Sequence, residues 1–229
     1  MASIISNSAK MGRSIIILLC CLIAAFTSYS QEQDSTVYEG PFRKDRFITG
    51  LTGSIRSAAV SENFTSTDRK FIEGYQVGTN SGYFFYERVA IGVSFKVSRD
   101  VQESINRTES ETLQIGPWIR YYTSPDSRGS VYPELSIQYV NFSDNSRTLD
   151  TTIEERFLRS SGVGVEAGVG FTYTVGDNIG FDIGLNYSAA FLNGKTTGTN
   201  IVGTEEDPFF LGQLNFRFGF IALVDEFFF

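Results

Sequence analysis

Between Gly162 and Ser188, apart from one turn, the chain alternates between large apolar residues and small or polar ones. The odd positions carry Val, Ala, Phe, Ile, Leu and Tyr, whereas the even positions carry Gly, Thr, Asn, Glu166 and Asp182. A period of two predicts β-strands, because successive side chains of a strand point to opposite faces of a sheet. Glycine and Asx residues in Thr174–Asn178 favour a tight turn. The stretch therefore predicts a β-hairpin.

The two faces of this hairpin are unusual in what they carry. In a soluble sandwich the apolar faces pack against each other, and the outward faces are rich in Lys, Glu and Thr. Here the polar face is crowded with glycines and holds a few charges, which suits a narrow, wet interior. The large apolar face then points at lipid, as it does in a transmembrane barrel.

The same alternation recurs along the chain and predicts eight strands. The second strand is the least regular, because Thr79 and Ser81 take outward positions. We therefore predict an all-β fold, an eight-stranded antiparallel up-and-down transmembrane β-barrel. The strands are predicted at Phe47–Ser57, Gly74–Phe85, Val89–Ser98, Leu113–Tyr122, Val131–Asn141, the two arms of Gly162–Ser188, and Phe210–Ile221.

The connections between these strands predict a topology. Short connections follow strands two, four and six, whereas long hydrophilic ones follow strands one, three, five and seven: Ala58–Arg69, Arg99–Glu111, Phe142–Glu155 and Ala189–Asp207. Outer-membrane barrels have short periplasmic turns and longer extracellular loops. Both termini are therefore expected in the periplasm, and the long acidic loops outside the cell.

The first residues have the pattern of a secretory leader. Lys10 and Arg13 precede an apolar run, Ile15–Phe26, which is too short for a membrane helix and is followed by small residues. We predict a cleavable signal peptide at residues 1–30, a periplasmic lead-in at 31–45 and the barrel domain at 46–229. Met1 and Met11 both remain possible starts.

Charge and composition exclude several function classes. Loss of the leader removes Cys20 and Cys21 and changes the formal charge from −7 to −9, which argues against a nucleic-acid partner. The chain contains no histidine, the usual general base of hydrolases. The acids of the loops match no calcium-loop spacing. We therefore expect no enzyme activity, cofactor or metal.

Charged residues at inward positions are the candidate site. An eight-stranded barrel is just wide enough inside for side chains, and buried charges are unfavourable unless they are paired. Counting across the turns places Arg120 opposite Glu134, and Asp182 opposite Gly170 within reach of Arg217. A salt-bridged interior that fills the lumen is favoured, with a gated polar path or a binding site as the alternative. The inward charges are Arg56, Lys96, Arg120, Glu134, Glu166, Asp182 and Arg217.

Several stretches of residues 45–229 resemble the small outer-membrane β-barrels of the OmpA/OmpX/OmpW type, in the variant common in Bacteroidetes. They are Gly82–Gly92, Gly116–Tyr122 and Asp177–Tyr187. The aromatic end Phe227–Phe229 is similar to the signal that such barrels present to their assembly machinery, although either Phe220 or Phe229 could end the last strand. The resemblance implies a monomer in the outer membrane of a Gram-negative bacterium, with outer-membrane lipid and that machinery as partners.

Barrels of this type share a fold rather than an activity. We expect a non-enzymatic protein with a structural or surface-interaction role and a charged, plugged lumen. The alternative is OmpW-like transport of a small hydrophobic ligand across the outer membrane. The sequence names neither the ligand nor a surface partner.

Overall fold

The computed structural model describes residues 40–61, 70–103, 106–124, 128–148, 154–198 and 205–225. The predicted signal peptide, most of the predicted lead-in and the terminal Phe227–Phe229 lie outside these residues. Within this part of the chain no helix is long and apolar enough to cross a membrane. The strands are β1 (Phe47–Ser61), β2 (Lys70–Tyr86), β3 (Val89–Glu103), β4 (Asn106–Tyr121), β5 (Gly129–Thr148), β6 (Glu154–Val175), β7 (Ile179–Gly198) and β8 (Glu205–Val224).

The eight strands form one closed antiparallel barrel in which each strand pairs with its neighbours in the chain. The last strand closes onto the first, with Val224 opposite Phe47 and Phe210 opposite Ser61. Closure pairs the strands that would otherwise be edges, which is the requirement for a sheet in lipid. The prediction of an eight-stranded antiparallel barrel is confirmed.

The outward positions of the strands form an apolar belt around the barrel. Val163 and Phe216 expose 59% and 51% of their surface, and Val93, Ile183 and Leu185 are comparably exposed. A continuous apolar surface of this size is unfavourable in water, whereas lipid covers it without penalty. The inward positions of the same strands are mostly polar and buried, so the predicted faces are correct.

The sequence left open whether Phe220 or Phe229 ends the last strand. Leu214, Phe216, Phe218 and Phe220 face outward, and β8 continues beyond Phe220 to Val224, where Ile221 and Leu223 turn inward and are buried. Phe220 therefore does not end the strand, because the ladder with β1 continues as far as Val224.

The long connections are a correction to the sequence analysis. Much of Arg99–Glu111 is strand, and only residues 104–105 separate β3 from β4. Residues 122–128 between β4 and β5, on the end predicted to carry short turns, form a longer connection, so the strict alternation of short and long connections is wrong. The backbone hydrogen-bond ladder continues into segments where both faces of the strands are polar. Because these segments lack apolar residues in alternation, the sequence pattern does not identify them as strands.

The two ends of the barrel differ in the connections that they carry. One end, which we call the turn end, carries the starts of β1, β3, β5 and β7 and the connections at 87–88, 122–128 and 176–178. The opposite end, which we call the far end, carries the connections at 62–69, 104–105, 149–153 and 199–204. Gly176 has a positive φ of 70° in the turn between β6 and β7, a conformation that glycine adopts without strain.

The closed barrel makes a prediction for gel electrophoresis. Because every strand is paired on both sides, the barrel should resist unfolding by SDS at room temperature and lose its structure only on boiling. Unboiled and boiled samples should migrate at different positions, and the unboiled sample should have a β-type circular dichroism spectrum. Identical migration, together with a water-soluble monomer in the absence of detergent, would contradict a membrane barrel.

Candidate functional site

The inward charges occupy the interior of the barrel at several levels. All seven of the predicted residues point inward and are at most 6% exposed. Each comes from a different strand, so that every strand except β2 contributes one of them. The residues are Arg56, Lys96, Arg120, Glu134, Glu166, Asp182 and Arg217.

Glu134 is the centre of the charge layer nearest the turn end. Arg120 lies opposite Glu134 in the β4–β5 ladder, in agreement with the count across the turn, and its Nε and Nη2 donate to Glu134 Oε2 at 2.9 and 2.6 Å. Arg217 donates from Nη1 to the other oxygen, Oε1, at 2.8 Å. One carboxylate therefore bridges two guanidinium groups from β4 and β8, which is a strong, charge-assisted arrangement.

Asp182 completes this layer, but its cross-strand neighbour differs from the prediction. It lies opposite Thr172, whose Oγ1 donates to Asp182 Oδ1 at 2.7 Å, and not opposite Gly170. Its carboxylate is 3.6 Å from Arg120 Nη1 and 3.5 Å from Arg217 Nη2. The predicted proximity of Asp182 to Arg217 is therefore confirmed, although the predicted register between β6 and β7 was wrong by two residues.

The space beside Gly170 is filled by Tyr132 from β5. A Cβ at Gly170 would lie 2.3 Å from Tyr132 Oη, so only glycine accommodates the ring there. The Tyr132 hydroxyl accepts a hydrogen bond from Arg217 Nη2 at 2.8 Å. The Arg120 guanidinium carbon lies 3.9 Å from the Tyr132 ring centroid, within range of a cation–π contact. Tyr132 thus holds both arginines.

A second ion pair lies deeper in the barrel and is linked to the first layer. Lys96 on β3 pairs with Glu166 on β6, across the lumen. The Asn186 amide donates to Glu166 Oε1 at 2.9 Å and to Glu134 Oε1 at 3.3 Å. The two layers are therefore connected through one amide, and a substitution in either layer is expected to affect the hydrogen bonds of the other.

The third ion pair contains a residue that the sequence analysis missed. Arg56 on β1 pairs with Asp100 on β3, and both are buried. The contact passes over β2 at Gly74, where any Cβ would overlap the Asp100 carboxylate. The sequence could have identified Asp100, because the inward-facing positions of β3 continue from Lys96 through Ser98 to Asp100. With Asp100, the buried charged side chains of the described strand residues number four basic and four acidic.

Amide and hydroxyl groups fill the lumen beside these charges. Gln76 donates to Gln114 at 3.3 Å, and Gln114 donates to Gln213 at 2.6 Å, so the chain of amides crosses the interior.

A small cavity of about 10 Å³ lies next to Lys96 and Asn215. This is room for about one water molecule. Both side-chain polar atoms of Asn215 lack a hydrogen-bond partner among the residues that the structure describes.

Apolar clusters lie inside the barrel at both ends. The turn-end cluster consists of Phe42, Ile48, Phe84, Ala90, Trp118, Tyr122, Tyr132, Ile221 and Leu223. The far-end cluster consists of Ala58, Val140, Phe142, Ala190, Leu192, Phe209 and Leu211, with Leu158 packed against it. The polar interior is therefore bounded by apolar side chains on both sides, which keeps its ion pairs away from bulk water.

The arrangement is that of a paired, buried charge network. In the described part of the chain no three His, Cys, Asp or Glu side chains are grouped to hold a metal ion. The carboxylates of the turn-end layer are each next to arginine. Such a network fixes the positions of the contributing strands relative to one another.

Comparison with known proteins identifies the fold. No protein-family model matches the sequence. The outer membrane protein OprG from Pseudomonas aeruginosa superposes with a TM-score of 0.55 at 12% identity, over 83% of this chain and all of that chain. The chain has the fold of the small outer-membrane β-barrels.

Two other outer-membrane proteins match with lower TM-scores. A major outer membrane protein from Thermus thermophilus covers 76% of this chain with 99% of its own length, at 12% identity and a TM-score of 0.49. Neisserial surface protein A covers 78% of this chain with 97% of its length, at 17% identity and a TM-score of 0.47. At these identities the likeness concerns architecture only.

Proposed function

We propose that this outer-membrane-type barrel is a non-enzymatic protein of the outer membrane of a Gram-negative bacterium, with a closed lumen and a structural or surface-interaction role. The observation that carries the proposal is the interior charge network. Four basic and four acidic side chains are buried and paired there. Breaking one buried pair costs several kcal/mol, so an aqueous path through this layer is unfavourable.

The far end provides the surface for the proposed interaction. β5 continues from Asn141 to Thr148 and β6 runs from Glu154 to Ser161, beyond the apolar belt. At about 3.3 Å per residue, these strands add roughly 25 Å of paired sheet beyond the belt. Arg99 makes ion pairs with Glu109 and Glu111 on its outer face. We propose that this polar wall is extracellular and presents the protein to a partner, with both termini in the periplasm.

Single-channel recording in a planar bilayer tests the closed lumen. The purified barrel is added to one side, with a general porin as the positive control and a boiled aliquot as the negative control. The charge network should block steady ion flow, so the trace should match that of the boiled aliquot. A steady, reproducible conductance would overturn the closed lumen.

Orientation is tested by epitope tags at the two ends. A tag in the far-end connection 149–153, after Asp150, should be labelled by antibody on intact cells. A tag in the turn-end connection, after Asp126, should be reached only when the outer membrane is opened. The reverse pattern would place the far end in the periplasm and remove the proposed surface role.

A second candidate function is transport of a small hydrophobic ligand, and the far-end cluster favours it. Leu192, Leu211 and Phe142 face the inside of the far end, with the Phe142 and Phe209 rings 5.8 Å apart. An apolar lining inside a polar rim suits an apolar molecule entering from that side. Such a ligand would have to leave sideways into lipid, since the charge layers lie beneath.

Uptake of a radiolabelled alkane by cells separates the two candidates. Leu192→Asp places a charge inside the far end, whereas Thr197→Asp places one on the exposed outer face of the same strand. Transport predicts uptake above that of cells lacking the protein, reduced by Leu192→Asp and unchanged by Thr197→Asp. Uptake equal to that of cells lacking the protein favours the structural or surface role.

The remaining partners stay proposals. We propose that outer-membrane lipid covers the apolar belt and that the barrel assembly machinery recognises the aromatic chain end. A monomer is the expected state, because the barrel closes on itself.

A further inference from the structure

The residues before β1 enter the turn end of the barrel. This mouth segment, residues 40–46, brings Phe42 into the turn-end cluster, where its side chain is fully buried. The Phe42 ring stacks on Tyr122, with centroids 3.8 Å apart and an angle of 8° between the planes. Phe84 packs against both rings. The segment was expected to be a polar lead-in, yet its aromatic side chain is part of the interior.

The backbone of the mouth segment is fixed to the neighbouring hairpin. Arg88 N–H donates to the Phe42 carbonyl at 2.8 Å. Asp45 N–H donates to the Phe84 carbonyl at 3.0 Å, and Phe84 N–H donates to the Arg46 carbonyl at 2.8 Å. Three backbone hydrogen bonds therefore hold Phe42 in the opening.

Arg46 ties the same segment to the opposite side of the mouth. Its side chain is 1% exposed and donates to the carbonyls of Pro41 and Asp177 at 2.9 Å each. It also donates to Asn178 Oδ1 at 3.0 Å, and its Nε lies 2.7 Å from Asp225 Oδ1. Burial lowers the pKa of Arg46 while the Asp225 carboxylate opposes that shift. A buried guanidinium with this many partners is costly to displace.

Phe42 also covers the charge network. The face of Tyr122 is stacked under Phe42, and the Tyr122 hydroxyl accepts a hydrogen bond from Arg120 Nη1 at 3.0 Å. The next group inward is therefore the guanidinium that holds Glu134. Removing Phe42 would open the route by which water reaches this layer from the turn end.

We propose that the mouth segment is a built-in stopper of the turn end, with Phe42 as the closing side chain and Arg46 as the latch that holds it. The segment belongs to the chain but to none of the eight strands, so it can leave without unpairing the barrel. Its departure would expose an aromatic pocket and the Arg120 layer to the compartment at that end. This device is independent of whether the far end binds a partner or a ligand.

Thiol labelling of a buried reporter tests the stopper. Ala90→Cys is introduced in the full chain with Cys20→Ser and Cys21→Ser, because Ala90 is fully buried in the turn-end cluster and differs little in size from cysteine. Labelling by a charged methanethiosulfonate reagent is then timed for the folded barrel in detergent. Phe42→Ala and Arg46→Ala are expected to accelerate labelling about tenfold or more, since local opening no longer has to displace the ring.

Arg43→Ala is the matched control. Arg43 also pairs with Asp225, at 2.6 Å, but its side chain is 34% exposed and is not part of the turn-end cluster. Its replacement should leave the labelling rate unchanged. The gel-mobility difference between boiled and unboiled samples shows which variants retain the barrel, and Phe42→Ala, outside every strand, should retain it.

The outcomes separate the two parts of the proposal. Rapid labelling in Phe42→Ala with slow labelling in folded Arg46→Ala would keep the stopper and remove the latch. Equal rates in the parent, Phe42→Ala and Arg43→Ala, all as folded barrels, would overturn the stopper. Conductance need not change in any of these variants, because the charge layers lie farther in, so the result is independent of the bilayer recording.

Discussion

Replacing Arg120 by Glu is expected to lower the free energy of unfolding of the barrel by about 3–5 kcal/mol. The variant loses the two hydrogen bonds to Glu134 and places a third carboxylate beside Glu134 and Asp182. Only Arg217 then remains to balance three acids in this layer. Equilibrium unfolding by guanidinium from lipid vesicles, followed by tryptophan fluorescence, measures the change.

Two further variants make this result specific. Arg99→Glu is the control, because Arg99 pairs with Glu109 and Glu111 on the exposed outer face, and its reversal should change the free energy of unfolding by about 1 kcal/mol or less. The double variant Arg120→Glu with Glu134→Arg should recover part of the loss. Full recovery is not expected, because Glu134 also accepts from Arg217. Purely additive losses would show that Arg120 and Glu134 are not coupled.

Replacing Gly170 by Val is expected to destabilise the barrel by about 1–3 kcal/mol through overpacking. The new Cβ would lie 2.3 Å from Tyr132 Oη and 2.6 Å from the Ile183 carbonyl oxygen. The backbone oxygen cannot move away without distorting the ladder, and a shift of Tyr132 would weaken its contacts with Arg120 and Arg217. The same unfolding experiment measures the loss.

Gly53→Val is the matched control for this variant. Gly53 faces lipid, and a Cβ there would meet the Phe218 ring at an ordinary 3.5 Å. Its free energy of unfolding should stay close to that of the wild type. If Gly170→Val were equally well tolerated, the Tyr132 ring would not need the space beside Gly170.

Much of the fold follows from the period-two pattern alone. In Val163–Phe171 every outward residue is apolar, because lipid selects it, and every inward residue is small or polar, because the lumen is narrow. Beyond the belt this selection ends. Residues such as Ser160 and Ser161 face opposite sides of the wall with the same chemistry, so hydrophobicity no longer distinguishes strand from loop. The far-end extensions of the strands therefore could not be read from the sequence.

The candidate site was also only partly predictable from the sequence. Parity alone placed seven charges inside, but partners depend on register, which the turn sets. The turn of residues 176–178 pairs Val175 with Ile179, and an error of two residues preserved both faces while giving Asp182 the wrong neighbour. Asp100 was missed because strand three was ended at Ser98. Phe42 and Arg46 precede the first alternating stretch, where no periodic signal exists.

The cancellation of the buried strand charges has an electrical consequence. A voltage across a membrane displaces a rigidly connected group of charges in proportion to its net charge, at about 2.3 kcal/mol per elementary charge per 100 mV. Arg56, Lys96, Arg120 and Arg217 are matched one for one by Asp100, Glu134, Glu166 and Asp182. The field therefore finds no monopole in this network to pull toward either electrode. We expect the interior to keep the same arrangement at either polarity, so that the barrel has no voltage sensor in its charged core.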